Sequence, residues 1–272
     1  KYIIMEKIVC KGVFIMKAFI TIFAALVLVG TVVAGKIHWN REAVNQSSYS
    51  AVAATETSGT EEESWKQHTA NLPKAVVQKL EQTKTSGKPM KLVIVGSQAT
   101  SEYDSAWPAK LEKALHKAYG QDAVDVKVLS YPDYTTLSFV EQDAYKDVVR
   151  EKPDVLLFEP FLFNDNGVVG ITHTLENLDV IMTDINKEVK GIVTILQPSQ
   201  PIYHAVNYPK EEKELQDFAK EKGFEYANHW KAWPDAQSDK LLDYLSNEKR
   251  KPTQKGNDVW AKYLQTYFTG SK

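Results

Sequence analysis

The sequence has little of what several common kinds of binding site require. Cys10 is the only cysteine among 272 residues, which excludes an intramolecular disulfide and a metal site built from thiolates. Histidines and carboxylates do not occur at metal-ligand spacings, so we predict no metal site, and we expect no cofactor. The formal net charge of −2 offers no basic surface for phosphates. It therefore argues against a nucleic-acid partner.

One long uncharged apolar run stands near the amino terminus, at residues 18–35, between Lys17 and Lys36. Its length just reaches the ~20 residues with which a helix crosses a bilayer. The positive flank favours an orientation that leaves the rest of the chain outside the cytoplasmic membrane. We expect an uncleaved single-pass anchor in the cell membrane with an extracytoplasmic domain. The alternative is a cleaved signal peptide and a secreted protein.

Composition divides the chain into three predicted regions. Residues 1–35 hold the membrane anchor or signal segment. Residues 36–88 begin as a polar tether rich in Ser, Thr and Ala, and continue as short stalk helices. Residues 89–272 form the predicted folded domain.

Apolar runs alternate regularly with amphipathic stretches after residue 89. The runs predict strands at Leu92–Val95, Val124–Leu129, Val155–Phe158, Ile192–Leu196 and Phe224–Ala227. Continuous apolar strands separated by helices indicate a parallel sheet covered on both faces. We therefore predict an α/β fold, a three-layer α/β/α sandwich with a parallel five-stranded sheet. Its site is expected at the carboxyl ends of the strands.

Polar side chains follow three of the predicted strands. The first strand is followed by Gly96, Ser97 and Gln98, the third by Glu159, Asn164 and Asp165, and the fifth by His229 and Trp230. A tryptophan beside polar residues is a common way to present a flat face to a sugar ring. The alternatives are plain packing for the aromatic residue and an Asx turn for the Asn-Asp pair.

The order of these motifs resembles the SGNH (GDSL-type) hydrolase family, most closely its membrane-anchored, extracytoplasmic members in Gram-positive bacteria. The resemblance covers roughly residues 91–268. "VGSQAT" stands where the family has Gly-Asp-Ser-Leu, and "PDVLLFEPFLFND" where it has a Gly-x-Asn-Asp block. "KPTQKGNDVWAKYL" stands where the family has Asp-x-x-His-Pro-Asn and a glycine before the last helix.

The resemblance implies a serine that attacks an ester carbonyl, an oxyanion site formed by two backbone amides and an asparagine, and a histidine base. Asn164 falls on the oxyanion asparagine, with Asp165 beside it. Without a gap, Gln98 falls on the nucleophile and Ser97 on the preceding aspartate. Ser97 takes the nucleophile's place only if the turn is one residue tighter.

The base has no direct counterpart in this correspondence. The family's histidine falls on Lys251, and no histidine follows His229. A serine needs an adjacent base, and the substitutes are His229, His204 on a proline-braced loop, and Lys251 if it were buried. We predict Ser97, Asn164 and His229 as the catalytic residues. The predicted binding residues are Gly96, Gln98, Glu159, Asp165 and Trp230.

Three functions fit this sequence. The resemblance implies an esterase or acyl-transfer hydrolase that acts outside the cytoplasmic membrane on acylated cell-envelope glycans or lipids. The alternative is a catalytically degenerate SGNH-like domain that binds a polysaccharide or serves envelope assembly. A scaffold whose stalk helices at residues 61–85 mediate oligomerisation is a third interpretation, and the oligomeric state stays open.

Overall fold

A computed structural model describes residues 64–247 and 251–271. Within this part of the chain, five strands form one sheet in the order β2-β1-β3-β4-β5, and all neighbouring strands run parallel. They are β1 (Met90–Gly96), β2 (Val124–Ser130), β3 (Val155–Phe158), β4 (Val193–Leu196) and β5 (Glu225–Tyr226). The predicted strands are therefore confirmed, although the last one pairs over two residues only.

Helices connect the strands and close the chain. They are α1 (Lys74–Ser86), α2 (Trp107–Tyr119), α3 (Thr136–Glu141), α4 (Tyr145–Glu151), α5 (Leu162–Asp165), α6 (Ile171–Glu188), α7 (Tyr208–Lys222) and α8 (Gln254–Thr269). Short 3-10 helices occur at Ser64–Thr69, His229–Ala232 and Asp239–Tyr244.

Alternation along β1 separates two cores. Leu92 and Ile94 point to the face covered by α1, α2 and α8, whereas Val93 and Val95 point to the face covered by α3, α4, α6 and α7. Side chains of a strand alternate between the two faces of its sheet, so an uninterrupted apolar strand fills both cores. The predicted three-layer α/β/α sandwich is confirmed for the described residues.

The segment before β1 belongs to this sandwich. Trp65, Val76 and Leu80 are buried in the core that α1 shares with α2 and α8. The Tyr119 hydroxyl shares its proton between the carbonyl oxygens of His68 (3.0 Å) and Phe268 (2.5 Å), which links this segment to α2 and to the end of α8. Residues 64–86, which the sequence predicts as short stalk helices, therefore pack against the sheet as part of the domain. The packing follows from the apolar side chains that these residues bury in the core.

The predicted membrane segment at residues 18–35 and the tether that follows it lie outside the described residues. Among the helices that are described, none combines the length and the apolar composition of a membrane span.

Candidate functional site

The strand order places the site between β1 and β3. The chain moves from β1 to β2 at one edge, and then builds β3, β4 and β5 on the other side of β1. In an open parallel sheet a crevice forms where the direction of winding reverses, beyond the carboxyl ends of the two central strands. β1 ends at Gly96 and β3 at Phe158. Ser97 and Glu159 therefore meet at this point.

Glu159 is the centre of a buried polar cluster. Its Oε2 accepts hydrogen bonds from the Ser97 amide (2.7 Å), the Ser97 hydroxyl (2.8 Å) and the Thr100 hydroxyl (3.0 Å). Its Oε1 accepts one from the Ser199 hydroxyl, in the loop after β4. Burial raises the pKa of this carboxyl, and the four hydrogen bonds oppose that rise. Three strand ends are thereby joined through one side chain.

Gly96 permits this close approach. A methyl group at residue 96 would lie 2.5 Å from the Oε2 atom of Glu159 and closer still to the Thr100 hydroxyl. Any larger residue would displace the carboxylate or the turn. Gly96 is therefore required for the close packing against Glu159. It does not line the cleft described below, so its predicted binding role has no support in this geometry.

Ser97 faces the interior. It has no exposed surface, and its hydroxyl donates to Glu159. A nucleophile has to reach a bound carbonyl carbon, and a fully buried hydroxyl does not. This geometry gives the predicted nucleophile no access to substrate.

Gln98 takes the outward position instead. Its Nε2 donates a hydrogen bond to the Oδ1 of Asn164 at 3.0 Å, and its side chain lines an open cleft. The pairing with Asn164 matches the gapless comparison with the SGNH family, in which Gln98 stands in the place of the nucleophile. The turn after Gly96 is therefore not tightened by one residue.

Asn164 does not offer its amide to an oxyanion. Its Nδ2 donates to the carbonyl oxygens of Tyr134 (2.7 Å) and Pro132 (3.1 Å), in the loop after β2. Carbonyl oxygens only accept, so these two contacts determine which end of the amide is the donor. Both of its hydrogens are engaged inside the protein, which argues against the predicted oxyanion role.

His229 is a neutral core residue in this structure. Its Nδ1 accepts a hydrogen bond from the Trp233 indole at 2.9 Å, so its Nε2 carries the proton and donates to the Pro198 carbonyl at 2.8 Å. The ring also stacks on Trp260, with 3.9 Å between ring centroids. Burial lowers the pKa of His229 to about 3. The predicted role as base has no support in this geometry, because neither nitrogen is available to take a proton from serine.

The other predicted substitutes also lack the surroundings of a base. His204 stacks on Tyr203, and its Nε2 lies 3.2 Å from the Gln237 carbonyl oxygen. Lys251 lines the cleft but is exposed to solvent, so it lacks the burial that a catalytic lysine requires.

Asp165 and Trp230 serve the packing of the loops. Asp165 is buried and accepts hydrogen bonds from the Thr136 amide (2.9 Å) and the Thr174 hydroxyl (2.7 Å), which joins α5 to the starts of α3 and α6. Burial raises the pKa of its carboxyl. Trp230 is half-buried, and its indole donates to the Ser199 carbonyl at 2.7 Å. Neither side chain lines the cleft, contrary to the predicted binding roles.

The cleft itself is formed by the chain after β1, the end of β2 and the segment 251–257, and the sequence does not single out residues 101–106 as part of it. It has a volume of about 590 Å³, and its lining includes Gln98, Ser101, Glu102, Tyr103, Lys251 and Asn257. Tyr103 is 76% exposed. The available signals were the polar run "SEYDS" at residues 101–105, shortly after β1, and the position of Lys251 on the family's histidine.

No metal site accompanies the cleft. Within residues 64–247 and 251–271, no group of three or more histidine, cysteine, aspartate and glutamate side chains could hold a metal ion.

Comparison with known proteins supports the fold. No protein-family profile matches the sequence, and no curated protein matches it. A lipolytic protein of the G-D-S-L family from Desulfitobacterium hafniense has a TM-score of 0.52 and 22% identity, over 65% of this chain and 99% of that protein. A family 3 carbohydrate esterase from Talaromyces cellulolyticus has a TM-score of 0.56 and 11% identity, over 65% of this chain and 94% of that protein.

A variant of an acetyl-xylooligosaccharide esterase from a Geobacillus species is similar to the same degree. Its TM-score is 0.53 and its identity 14%, over 68% of this chain and 96% of that protein. Each of these proteins is covered almost completely by part of this chain. The chain therefore has the fold of the SGNH/GDSL hydrolases, as the order of its motifs predicts.

Proposed function

We propose that this protein binds an acylated glycan in the cleft at Gln98, and that it holds the ester without cleaving it. One observation carries the proposal: the three side chains predicted for catalysis each spend their polar atoms inside the protein. Ser97 donates to Glu159, Asn164 to two backbone carbonyls, and His229 is closed between Pro198 and Trp233.

The residue in the nucleophile's place supports binding. Gln98 faces the cleft where the family's serine would attack. A primary amide is a poor nucleophile and has no proton to give to a base at neutral pH. An ester bound beside Gln98 therefore stays intact.

The chemistry of the cleft suits a sugar chain. Hydroxyl, amide and charged groups line it, and Tyr103 presents an exposed ring at the same place. Sugars are recognised through such hydrogen-bonding groups together with aromatic faces. Two similar structures are esterases of carbohydrates, one of them an acetyl-xylooligosaccharide esterase. These relatives are our reason for proposing an acylated glycan as the ligand.

A carboxylic ester hydrolase is the second candidate, and one contact favours it. The Ser97 hydroxyl lies 2.8 Å from the Glu159 carboxylate, which could accept its proton. The structural relatives are themselves lipolytic proteins and esterases. This candidate requires the turn to open, because Ser97 is fully buried.

The place of action is part of the same proposal. The apolar run at residues 18–35, between Lys17 and Lys36, supports a membrane anchor with the binding domain outside the cytoplasmic membrane. Cell-envelope glycans are the acylated glycans within reach of such a domain.

A binding and a hydrolysis assay on the same protein separate the two candidates. We expect acetylated xylo-oligosaccharides to bind by calorimetry, more tightly than the same oligosaccharides after chemical deacetylation, and Gln98→Ala to weaken this binding. We expect p-nitrophenyl acetate to be hydrolysed at the same background rate by the wild type and by Ser97→Ala. Turnover that Ser97→Ala abolishes would establish the esterase. Equal affinity for the acetylated and deacetylated oligosaccharides would refute recognition of the acyl group.

A further inference from the structure

We propose that Glu159 is the positioning residue of the cleft, a carboxylate on the β3 side that holds the turn after β1 so that Gln98 faces Asn164 and the ligand. This inference rests on the proposed function for the identity of the ligand. The arrangement of the turn is independent of any ligand.

Glu159 contacts both ends of the turn, which is also held by hydrogen bonds from the Trp107 indole to the Ala99 carbonyl (3.0 Å) and from the Ser130 hydroxyl to the Ser97 carbonyl (3.3 Å). The Oε2 of Glu159 accepts from the amide and the hydroxyl of Ser97 and from the hydroxyl of Thr100. The Thr100 amide in turn donates to the Ser97 carbonyl at 2.9 Å. The carboxylate therefore binds both ends of the segment 97–100, and Gln98 lies between them.

The direction of the Gln98 side chain follows from the contacts of Ser97 and Thr100 with Glu159. When Ser97 points inward to Glu159, the next side chain leaves the turn on the other side. Gln98 then meets the Oδ1 of Asn164 at 3.0 Å. The contact with Ser199 adds the loop after β4, so the carboxylate is held from both sides. A buried acceptor shared by this many donors is costly to remove, because its donors would lose their partner.

The position of this acid is unusual for the resemblance. The Gly-Asp-Ser block implies a carboxylate at residue 97, on the turn after β1, whereas this chain has Ser97 there. Glu159 supplies a carboxylate to the same point from the neighbouring strand, and Gly96 leaves the space for it.

The first test compares Glu159→Gln with Glu212→Gln in the full chain. Glu212 is a matched control because it is also a buried carboxylate with two donors, Tyr226 (2.8 Å) and Asn228 (2.9 Å), and contacts neither the turn nor the cleft lining given above. Selective ¹⁵N labelling makes the side-chain amides of Gln98 and Asn164 visible by NMR. We expect Glu159→Gln to shift both amide signals and to weaken the binding of acetylated xylo-oligosaccharides at least tenfold, and Glu212→Gln to do neither.

The two readouts keep this inference separate from the proposed function. If the wild type does not bind the oligosaccharide, the proposed function fails while the amide signals still test the positioning role. If Glu159→Gln leaves both amide signals at their wild-type positions, Glu159 does not position the turn. Should Glu159→Gln fail to fold, Thr100→Val removes one donor and keeps the carboxylate. A shift of the Gln98 signal in Thr100→Val supports the inference, and an unchanged signal overturns it.

Rescue provides the second test. Glu159→Ser removes the carboxylate, and adding Ser97→Asp returns one to the same point from the other strand. We expect the double variant to recover the Gln98 and Asn164 signals that Glu159→Ser loses, although Ser97→Asp alone sets two carboxylates side by side and destabilises the protein. A double variant no better than Glu159→Ser would mean that a carboxylate at this point is not what holds the turn.

Discussion

Two buried polar groups lie at the same edge of the sheet, and the chain satisfies them by different means. Glu159, after β3, accepts hydrogen bonds from three serine and threonine hydroxyls and from one backbone amide. His229, after β5, is enclosed by the indoles of Trp233 and Trp260 and by a proline carbonyl. Both groups follow a strand, and both are of a type that can act as a base in an enzyme.

The difference lies in what the partners connect to. Three of the four donors to Glu159 belong to the turn after β1, which continues into the cleft, so we expect a change at Glu159 to reach Gln98. The partners of His229 belong to the hydrophobic core shared with α8. A reactive side chain at a strand end is therefore part of a site when its partners lead to open space, and part of the core when they do not.

The largest loss is expected at the floor of the Glu159 cluster. Gly96→Ala sets a methyl group against Glu159 and Thr100, and we expect the free energy of unfolding to fall by about 3 kcal/mol. Gly87→Ala is the control, since its methyl group meets open space and only its positive φ costs about 1 kcal/mol. Urea unfolding measures both. Equal losses would show that the cluster is not tightly packed.

The next effect concerns acid stability on the His229 side. Because burial lowers the pKa of His229 to about 3, the unfolded chain binds a proton below pH 6.5 that the native protein does not. The free energy of unfolding then falls with falling pH. Between pH 7 and pH 5 we expect the wild type to lose about 2 kcal/mol more than His229→Gln, whose neutral amide can keep both hydrogen bonds. Parallel pH profiles of the two proteins would contradict the neutral, closed state of His229.

A smaller effect is expected from the partner of His229. Trp233→Phe keeps most of the aromatic packing but leaves the Nδ1 of His229 without its donor. An unsatisfied buried acceptor costs about 1–3 kcal/mol, and we expect a loss near the lower end in urea unfolding. Ligand affinity should not change, because neither residue lines the cleft. A change in affinity for acetylated xylo-oligosaccharides would show that the surroundings of His229 belong to the ligand site, contrary to this expectation.

The smallest effect on stability is expected at the rim of the cleft. Tyr103 is largely exposed, so Tyr103→Ala should alter the free energy of unfolding by less than about 0.5 kcal/mol. The same change should weaken oligosaccharide binding several-fold by calorimetry. Leu242→Ala, at an exposed apolar residue outside the cleft lining, is the control that should leave both quantities unchanged.

Much of the fold is predictable because its signals are local. Trp107, Leu111, Leu115 and Tyr119 recur every four residues, and all four are buried on one face of α2. The apolar strands likewise announce a sheet covered on both sides. The place of segment 64–86 is harder to predict, because its sequence pattern is also that of a free amphipathic helix. Its packing depends on Tyr119 and on the core under α2 and α8, which are distant in sequence.

The site was predictable in place but not in detail. The sequence predicts polar groups at the carboxyl ends of the strands, and the structure brings Gln98 and Asn164 together there. The sequence does not single out Ser101, Glu102 and Tyr103, because a polar run after a strand has the same composition as an ordinary loop. Whether such a loop forms a wall depends on what stands opposite, here Lys251 and the start of α8.

The sequence by itself determined the layers, the parallel sheet and the edge at which polar groups collect, because these depend on periodicity and strand direction. Only the tertiary structure decided which of Ser97 and Gln98 faces the cleft. Adjacent residues on a turn point to different sides, and the choice is made by a carboxylate 62 residues away. The same holds for His229, whose protonation depends on a tryptophan, a carbonyl and the exclusion of water that folding alone brings together.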